Sequence, residues 1–167
     1  NMSGVADRVD GWLHDGKLYL RVVDYKTGKK SFDLAELRYG LGLQMLLYLF
    51  TLKEEGQMLF GGHEIVPAGV LYTPAREPML RCARDTEPEK IEKALKKELR
   101  RSGMVLEDPA VLQAMEHSAL ESPCYLPIAV KRDGAVTGSL ASAEQLGKLS
   151  KYVDHILNEI TQEVFAG

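Results

Sequence analysis

Residues 22–30 read VVDYKTGKK, and the pair in them that could do chemistry is Asp24 and Lys26. Two valines open a run fit for a buried strand, and a carboxylate and an ammonium then interrupt it. Alternate side chains of a strand share a face, so Asp24 and Lys26 project together. Such a pair either ends a strand as an ordinary ion pair, worth little at a surface, or sets an acid and a cation side by side for chemistry. A second carboxylate bears on the choice. Asp15-Gly16 is a strong signal for a two-residue hairpin turn, with strands over 4–14 and 17–26 on either side. With that turn His14 faces Lys17 and partner numbers sum to 31, so Val9 faces Val22, Leu13 faces Leu18 and Asp7 faces Asp24. One face then carries Val5, Asp7, Val9, Leu13, Leu18, Leu20, Val22, Asp24 and Lys26. The other carries a semi-polar set: Arg8, Asp10, Trp12, Tyr19, Arg21 and Tyr25. A bulge would shift this register and flip the faces.

Two carboxylates opposed on a core-facing sheet repel each other and resist desolvation. One of them can hold a proton at a raised pKa. Lys26 can neutralise the pair. Or a divalent cation can bind both, since magnesium is held by oxygen donors. The residues alone leave these three open.

The elements that must position the pair follow along the chain. Asp33 and Glu36 form a capping-box pattern that starts a helix over 33–53, apolar nearly all round from Leu41 to Leu52 and so expected to be buried. Gly40 and Gly42 weaken it by about 1 kcal/mol each. IVPAGVLYT at 65–73 reads as a core strand, with MLRCAR at 79–84 as a plausible partner. Helices are expected over 87–102 and 109–119, and a hairpin around Asp133-Gly134 joins 125–132 to 135–139. Ser142 caps a last helix that reaches about residue 164. The order ββ-α-ββ-αα-ββ-α predicts one α/β (mixed α+β) domain over 1–167, a mixed sheet flanked by helices and not a regular alternating parallel fold.

Bulk properties narrow the class. With 167 residues, 45% hydrophobic and 27% charged, the chain reads as one soluble globular domain. Its longest apolar run, LLYLF at 46–50, is too short to cross a bilayer, and no signal peptide is evident. Cys82 and Cys124 lack ligand-like spacing, which suggests a reducing, cytoplasmic location and neither a disulfide framework nor a zinc site. A net charge of −3 speaks mildly against an autonomous tight nucleic-acid binder. Lys26, Lys29 and Lys30 nevertheless cluster after the opening hairpin. KALKKELRR at 93–101 is basic too, although Glu92 and Glu98 make it read as a solvated helix face.

GVADRVD, VVDYKTG and GLGLQMLLYLF, in that order, resemble the nuclease signature of the RecB-like branch of the PD-(D/E)xK superfamily. The matching residues are Gly4 and Asp7, the run Asp24-Tyr25-Lys26-Thr27, and Gln44 with Tyr48. The wider text, including VPAGVLYTP, GMVLED and PIAVKRDGAVTGSLAS, is similar to the nuclease domain of the AddB (RexB) family found in bacterial helicase–nuclease complexes. The resemblance covers most of the chain and implies a restriction-endonuclease-like core. It implies that Asp7 and Asp24 ligate Mg²⁺ or Mn²⁺ with the Tyr25 backbone carbonyl, and that Lys26 positions the attacking water and offsets phosphate charge. Gln44 and Tyr48, four apart on one helix face, would support the site near the lysine and the DNA. A core glutamine and a core tyrosine are their ordinary alternative.

Two departures qualify the resemblance. The branch usually has a histidine in a helix upstream of the first motif strand, and His14, His63, His117 and His155 do not match it. Many AddB proteins hold a [4Fe–4S] cluster with one upstream and three C-terminal cysteines, places that Cys82 and Cys124 do not occupy. The expectation is an excised fragment of a larger protein: a Mg²⁺- or Mn²⁺-dependent DNA exonuclease domain that acts with an AddA-like helicase partner in double-strand-break repair by homologous recombination, with no membrane role. The alternatives are a non-catalytic nuclease-like module that binds DNA or partner subunits, and a standalone RecB-like nuclease of the CRISPR-associated kind.

Overall fold

The computed structural model describes residues 8–26, 41–75 and 79–167. The opening hairpin forms as its turn dictates: β1 (Arg8–His14) and β2 (Lys17–Lys26) meet at Asp15 and Gly16, both with positive φ (49° and 74°). Two left-handed residues give the twist that matches paired strands, which is why Asp-Gly is favoured there. Val9 faces Val22, Leu13 faces Leu18 and His14 faces Lys17, as the turn predicts. The expected pairing of Asp7 with Asp24 lies outside the described residues.

After α1 (Leu41–Glu55) the chain enters β3 (Glu64–Pro74), which runs parallel to β2. Then come α2 (Pro88–Leu99), β4 (Ser102–Leu106), α3 (Pro109–Met115), the β5–β6 hairpin (Ile128–Val130, Val136–Gly138), β7 (Leu140–Ala141) and α4 (Ala143–Ala166). The main sheet is mixed, in the order β1-β2-β3-β4-β7, with β2/β3 and β4/β7 parallel and the other pairs antiparallel. Among the described residues no helix is long and apolar enough to cross a membrane.

Several expectations need correction. Residues 79–84 form no strand; β3 pairs instead with β4, whose Ser102–Leu106 segment overlaps the expected end of a helix. The SGMVL segment is short and apolar, so its pairing is decided by β3 and not by its own period. Gly103 makes that pairing possible, because a side chain there would collide with the Val70 carbonyl oxygen. Helix α3 ends at Met115, short of the expected 119, because Glu116 turns to an extended conformation (φ −149°, ψ 117°). The one irregularity in the β2–β3 ladder falls between Leu20 and Arg21, where Pro67 cannot donate and Ala68 is the extra residue.

Other expectations hold. The hairpin at Asp133-Gly134 forms. Ser142 and Gln145 close a reciprocal capping box on α4. Helix α2 has no buried residue and carries Glu92–Lys96 and Glu87–Lys90 pairs, so its basic run is a solvated face.

The buried apolar residues form two clusters. Leu20, Val22, Ile65, Val70, Tyr72, Met104 and Leu106 face Leu46, Leu49 and Phe50 of α1 and Leu146, Val153 and Ile156 of α4. In the second, Leu71 and Val105 pack with Leu112, Ala119, Leu126 and Ile128. Helix α1 is buried along Leu43, Met45, Leu46, Leu49 and Phe50 but not all round: Gln44, Thr51 and Lys53 are exposed.

Candidate active site

Strand β2 carries Leu20, Val22 and Val23 into the interior almost without exposure, then ends in Asp24, Tyr25 and Lys26. Burial of the aliphatic part fixes the strand, so the charged end is held in place and not trailing. That end lies at the carboxyl edge of the parallel β2/β3 pair, where open sheets commonly bind ligands. Asp24 and Lys26 share a face, and the Lys26 Nζ stands 2.6 Å from Asp24 Oδ2, with side-chain exposures of 23% for the lysine and 14% for the aspartate. The Lys26 carbonyl accepts a hydrogen bond from the Ala75 N–H at 2.8 Å, which ties the strand end to the exit of β3.

Beside Asp24 in the parallel register stands Tyr72, 5% exposed. Burial and then the Asp24 charge push its phenol up to about 12. Asp24 thus stands close enough to Tyr72 for its charge to act on the phenol. The half-buried Asp24 carboxylate, held by the Lys26 ammonium and beside the Tyr72 phenol, is an oxygen ligand of the hard kind that divalent cations take. No group of three or more His, Cys, Asp or Glu side chains placed for a metal occurs among the described residues, and Asp7 lies outside them.

The other expected site residues fall as follows. Tyr25, 40% exposed, points to the opposite face of the sheet, where its hydroxyl accepts a hydrogen bond from Arg8 Nη1 at 3.0 Å. Helix α1 packs over β2 and β3. Gln44 is exposed on it, so it is not a core glutamine, while Tyr48 is half-buried against the core. Cys82 and Cys124 are free thiols. His14, His117 and His155 are exposed, and His63 is half-buried.

Three features escape a reading of the sequence. Tyr72 looks like a core strand residue, because nothing in IVPAGVLYT tells that β3 runs parallel to β2. Arg8, Asp10 and Arg21 share a predicted face, but the alternation does not join them into one network. Asp10 receives Arg8 Nη2 and Arg21 Nε at 2.8 Å each. Burial alone would raise the Asp10 pKa, but the two arginines outweigh it and hold the carboxyl below its usual value. Glu116, the one buried charged residue among those described, accepts the backbone N–H groups of Cys124, Tyr125 and Leu126. It staples an irregular segment whose amides have no ladder to join.

The matches to known proteins agree with this layout. The model of the PD-(D/E)XK nuclease superfamily matches residues 1–166. Several bacterial proteins named as a subunit of an ATP-dependent helicase/deoxyribonuclease are similar over the whole chain or nearly so. That of Clostridium botulinum (strain Loch Maree / Type A3) is 35% identical over 170 residues, covering 100% of this chain and 15% of the relative. That of Ruminiclostridium cellulolyticum is 35% identical over 168 residues, 99% of this chain and 14% of the relative. For Acetivibrio thermocellus the identity is 36% over 169 residues, 100% of this chain and 15% of the relative. The chain therefore spans about 15% of the length of these relatives. A mixed five-stranded sheet flanked by helices, with an acid and a lysine closing its second strand, is the restriction-endonuclease-like architecture, and the chain belongs to the PD-(D/E)XK nuclease superfamily.

Proposed function

We propose that this chain is a metal-dependent deoxyribonuclease domain of a larger helicase–nuclease protein, cutting DNA strands with an AddA-like helicase partner during double-strand-break repair by homologous recombination. The observation that carries the reading is the Asp24–Lys26 pair, 2.6 Å apart at the carboxyl edge of β2, in a superfamily member that resembles helicase/deoxyribonuclease subunits. When bound, a divalent ion supplies an acidified water and a polarised phosphoryl oxygen. Asp24 would hold it through its carboxylate, with Asp7 as the second carboxylate on the continued hairpin register and the Tyr25 carbonyl as a further oxygen. Lys26 orients the attacking water and offsets negative charge that builds on the phosphate. Its ammonium is a compact charge on a flexible stem, so it can exchange Asp24 for a phosphate oxygen without moving the strand. Gln44 and Tyr48, one turn apart on α1, steady Lys26 and meet the DNA. Tyr72 stays protonated through the neutral range and offers Asp24 a phenol at its side.

Cleavage of end-labelled single- and double-stranded DNA with Mg²⁺ or Mn²⁺, compared with Asp24→Ala, tests this reading. Cleavage that depends on the ion and disappears in the variant is the expected result; cleavage that survives Asp24→Ala overturns the site. Calorimetric titration with Mn²⁺ separates the main alternative. No binding at millimolar concentration would leave a nuclease-like module that binds DNA without cutting it.

A further inference from the structure

The face of the sheet opposite Asp24 and Lys26 carries a second polar assembly that cleavage does not use. Between the β1–β2 hairpin and α3 lies a cavity of about 290 Å³, lined by Arg8, Asp10, Trp12, Tyr19, Arg21 and Met115 among others. His14 stacks on the Trp12 ring at 4.5 Å, and Tyr19 stands tilted beside it at 5.6 Å. Arg101, just before β4, is near enough to Arg21 and Arg8 on this face for their charges to act on it, and its backbone N–H donates to the Tyr125 carbonyl at 2.8 Å. Its guanidinium lies 5.7 Å from the centre of the Tyr125 ring. Among the described residues, the buried side-chain polar atoms without a hydrogen-bond partner are Arg21 Nη1, Thr73 Oγ1 and Arg101 Nε. All three are on this face.

Such atoms are costly to leave unpaired, and two of them belong to cations. Arg8, Arg21 and Arg101 face one described carboxylate, Asp10, which leaves an excess of positive charge. Burial, and then the charges of Arg21 and Arg8, lower the Arg101 pKa. The assembly therefore suits an anion. Its rings narrow the class, because guanidiniums interleaved with Trp and Tyr suit a chain of phosphates with stacking bases. An acidic protein segment would satisfy the arginines but has no use for the rings. The location agrees: Tyr25, which bonds Arg8 on this face, sits in the chain between Asp24 and Lys26.

We propose that this rear face is a nucleotide-binding site, in which the arginine cluster takes a phosphate and Trp12 with Tyr19, on the side that lines the cavity and not the one His14 covers, stacks a base of a single DNA strand. The inference rests on the nuclease reading, and its test is independent of cleavage. Trp12 is the single tryptophan of the chain, so its fluorescence reports this cavity directly. In EDTA, where no cutting occurs, an oligothymidylate of roughly ten nucleotides should quench it. Arg21→Gln and Arg101→Gln should each weaken that binding about tenfold, as expected for loss of one charge-assisted contact. Circular dichroism confirms that each variant is folded, and Arg101→Gln leaves the Asp10–Arg21 pair intact. An abasic oligomer of the same length should bind without the quench. Thymidine monophosphate distinguishes the sources: a quench by the mononucleotide supports a site for a free nucleotide, a quench by the oligomer alone supports a strand. No quench with any of them, or a quench equal in both arginine variants to that of the parent, overturns the site. Cleavage with Mn²⁺ that persists in that case leaves the nuclease reading standing.

Discussion

The two faces of the opening hairpin each hold a carboxylate against cations, and they hold it differently. On the rear face Asp10 sits between two guanidiniums, each fixed by 2.8 Å contacts, and its pKa is driven down. On the front face Asp24 meets the ammonium of Lys26, with Tyr72 beside it in the parallel register. A guanidinium fork matches a carboxylate in shape and locks it, whereas an ammonium is a point charge on a four-carbon stem that can change partner. The difference is between a carboxylate locked by two guanidiniums and one held by a single ammonium, the one to which the proposed function assigns chemistry. Glu116 extends the contrast, because its partners are backbone amides and nothing can exchange them without unfolding the segment.

That contrast can be broken in four places, from the largest effect down. Asp24→Ala should lower metal-dependent DNA cleavage on the order of a thousandfold or more while the melting temperature stays near that of the parent; a stability loss in place of an activity loss would make Asp24 a fastener like Asp10. Lys26→Ala should reduce the cleavage rate by roughly 10²–10³ under saturating metal, and an unchanged rate would reduce the 2.6 Å contact to a strand-end ion pair. Glu116→Ala should cost about 2–4 kcal/mol in urea unfolding, since several buried N–H groups lose their acceptor, with cleavage per folded molecule unaltered.

The smallest effect belongs to Asp10→Asn, about 1 kcal/mol at neutral pH. Its signature is in the acid range. The Asp10 pKa is lower folded than unfolded, so its contribution is present above the ordinary carboxylate pKa and is lost as pH falls through the lowered folded value. Urea midpoints measured from pH 6 downward should therefore fall less steeply for Asp10→Asn than for the parent; parallel curves would show that the arginines do not hold the charged form.

Local chemistry carried much of this molecule in readable form. Asp15-Gly16 dictated its turn, the turn dictated the register from His14–Lys17 to Val9–Val22, and side-chain alternation then put Asp24 and Lys26 on one face. Ser142 with Gln145 marked the start of α4 for the same reason: each signal lies within a few residues and is satisfied by its own backbone. What the sequence could not determine depends on which distant segments meet. IVPAGVLYT reads the same whether parallel or antiparallel to β2, so the place of Tyr72 beside Asp24 and the pairing of β3 with Ser102–Leu106 came only from the folded sheet. Arg101 reads as the tail of a basic helix until that pairing brings it to Arg8, Arg21 and Tyr125. Strand pairing is a long-range choice made by the whole core, and the charges carried on the strands gain their neighbours only when it is made.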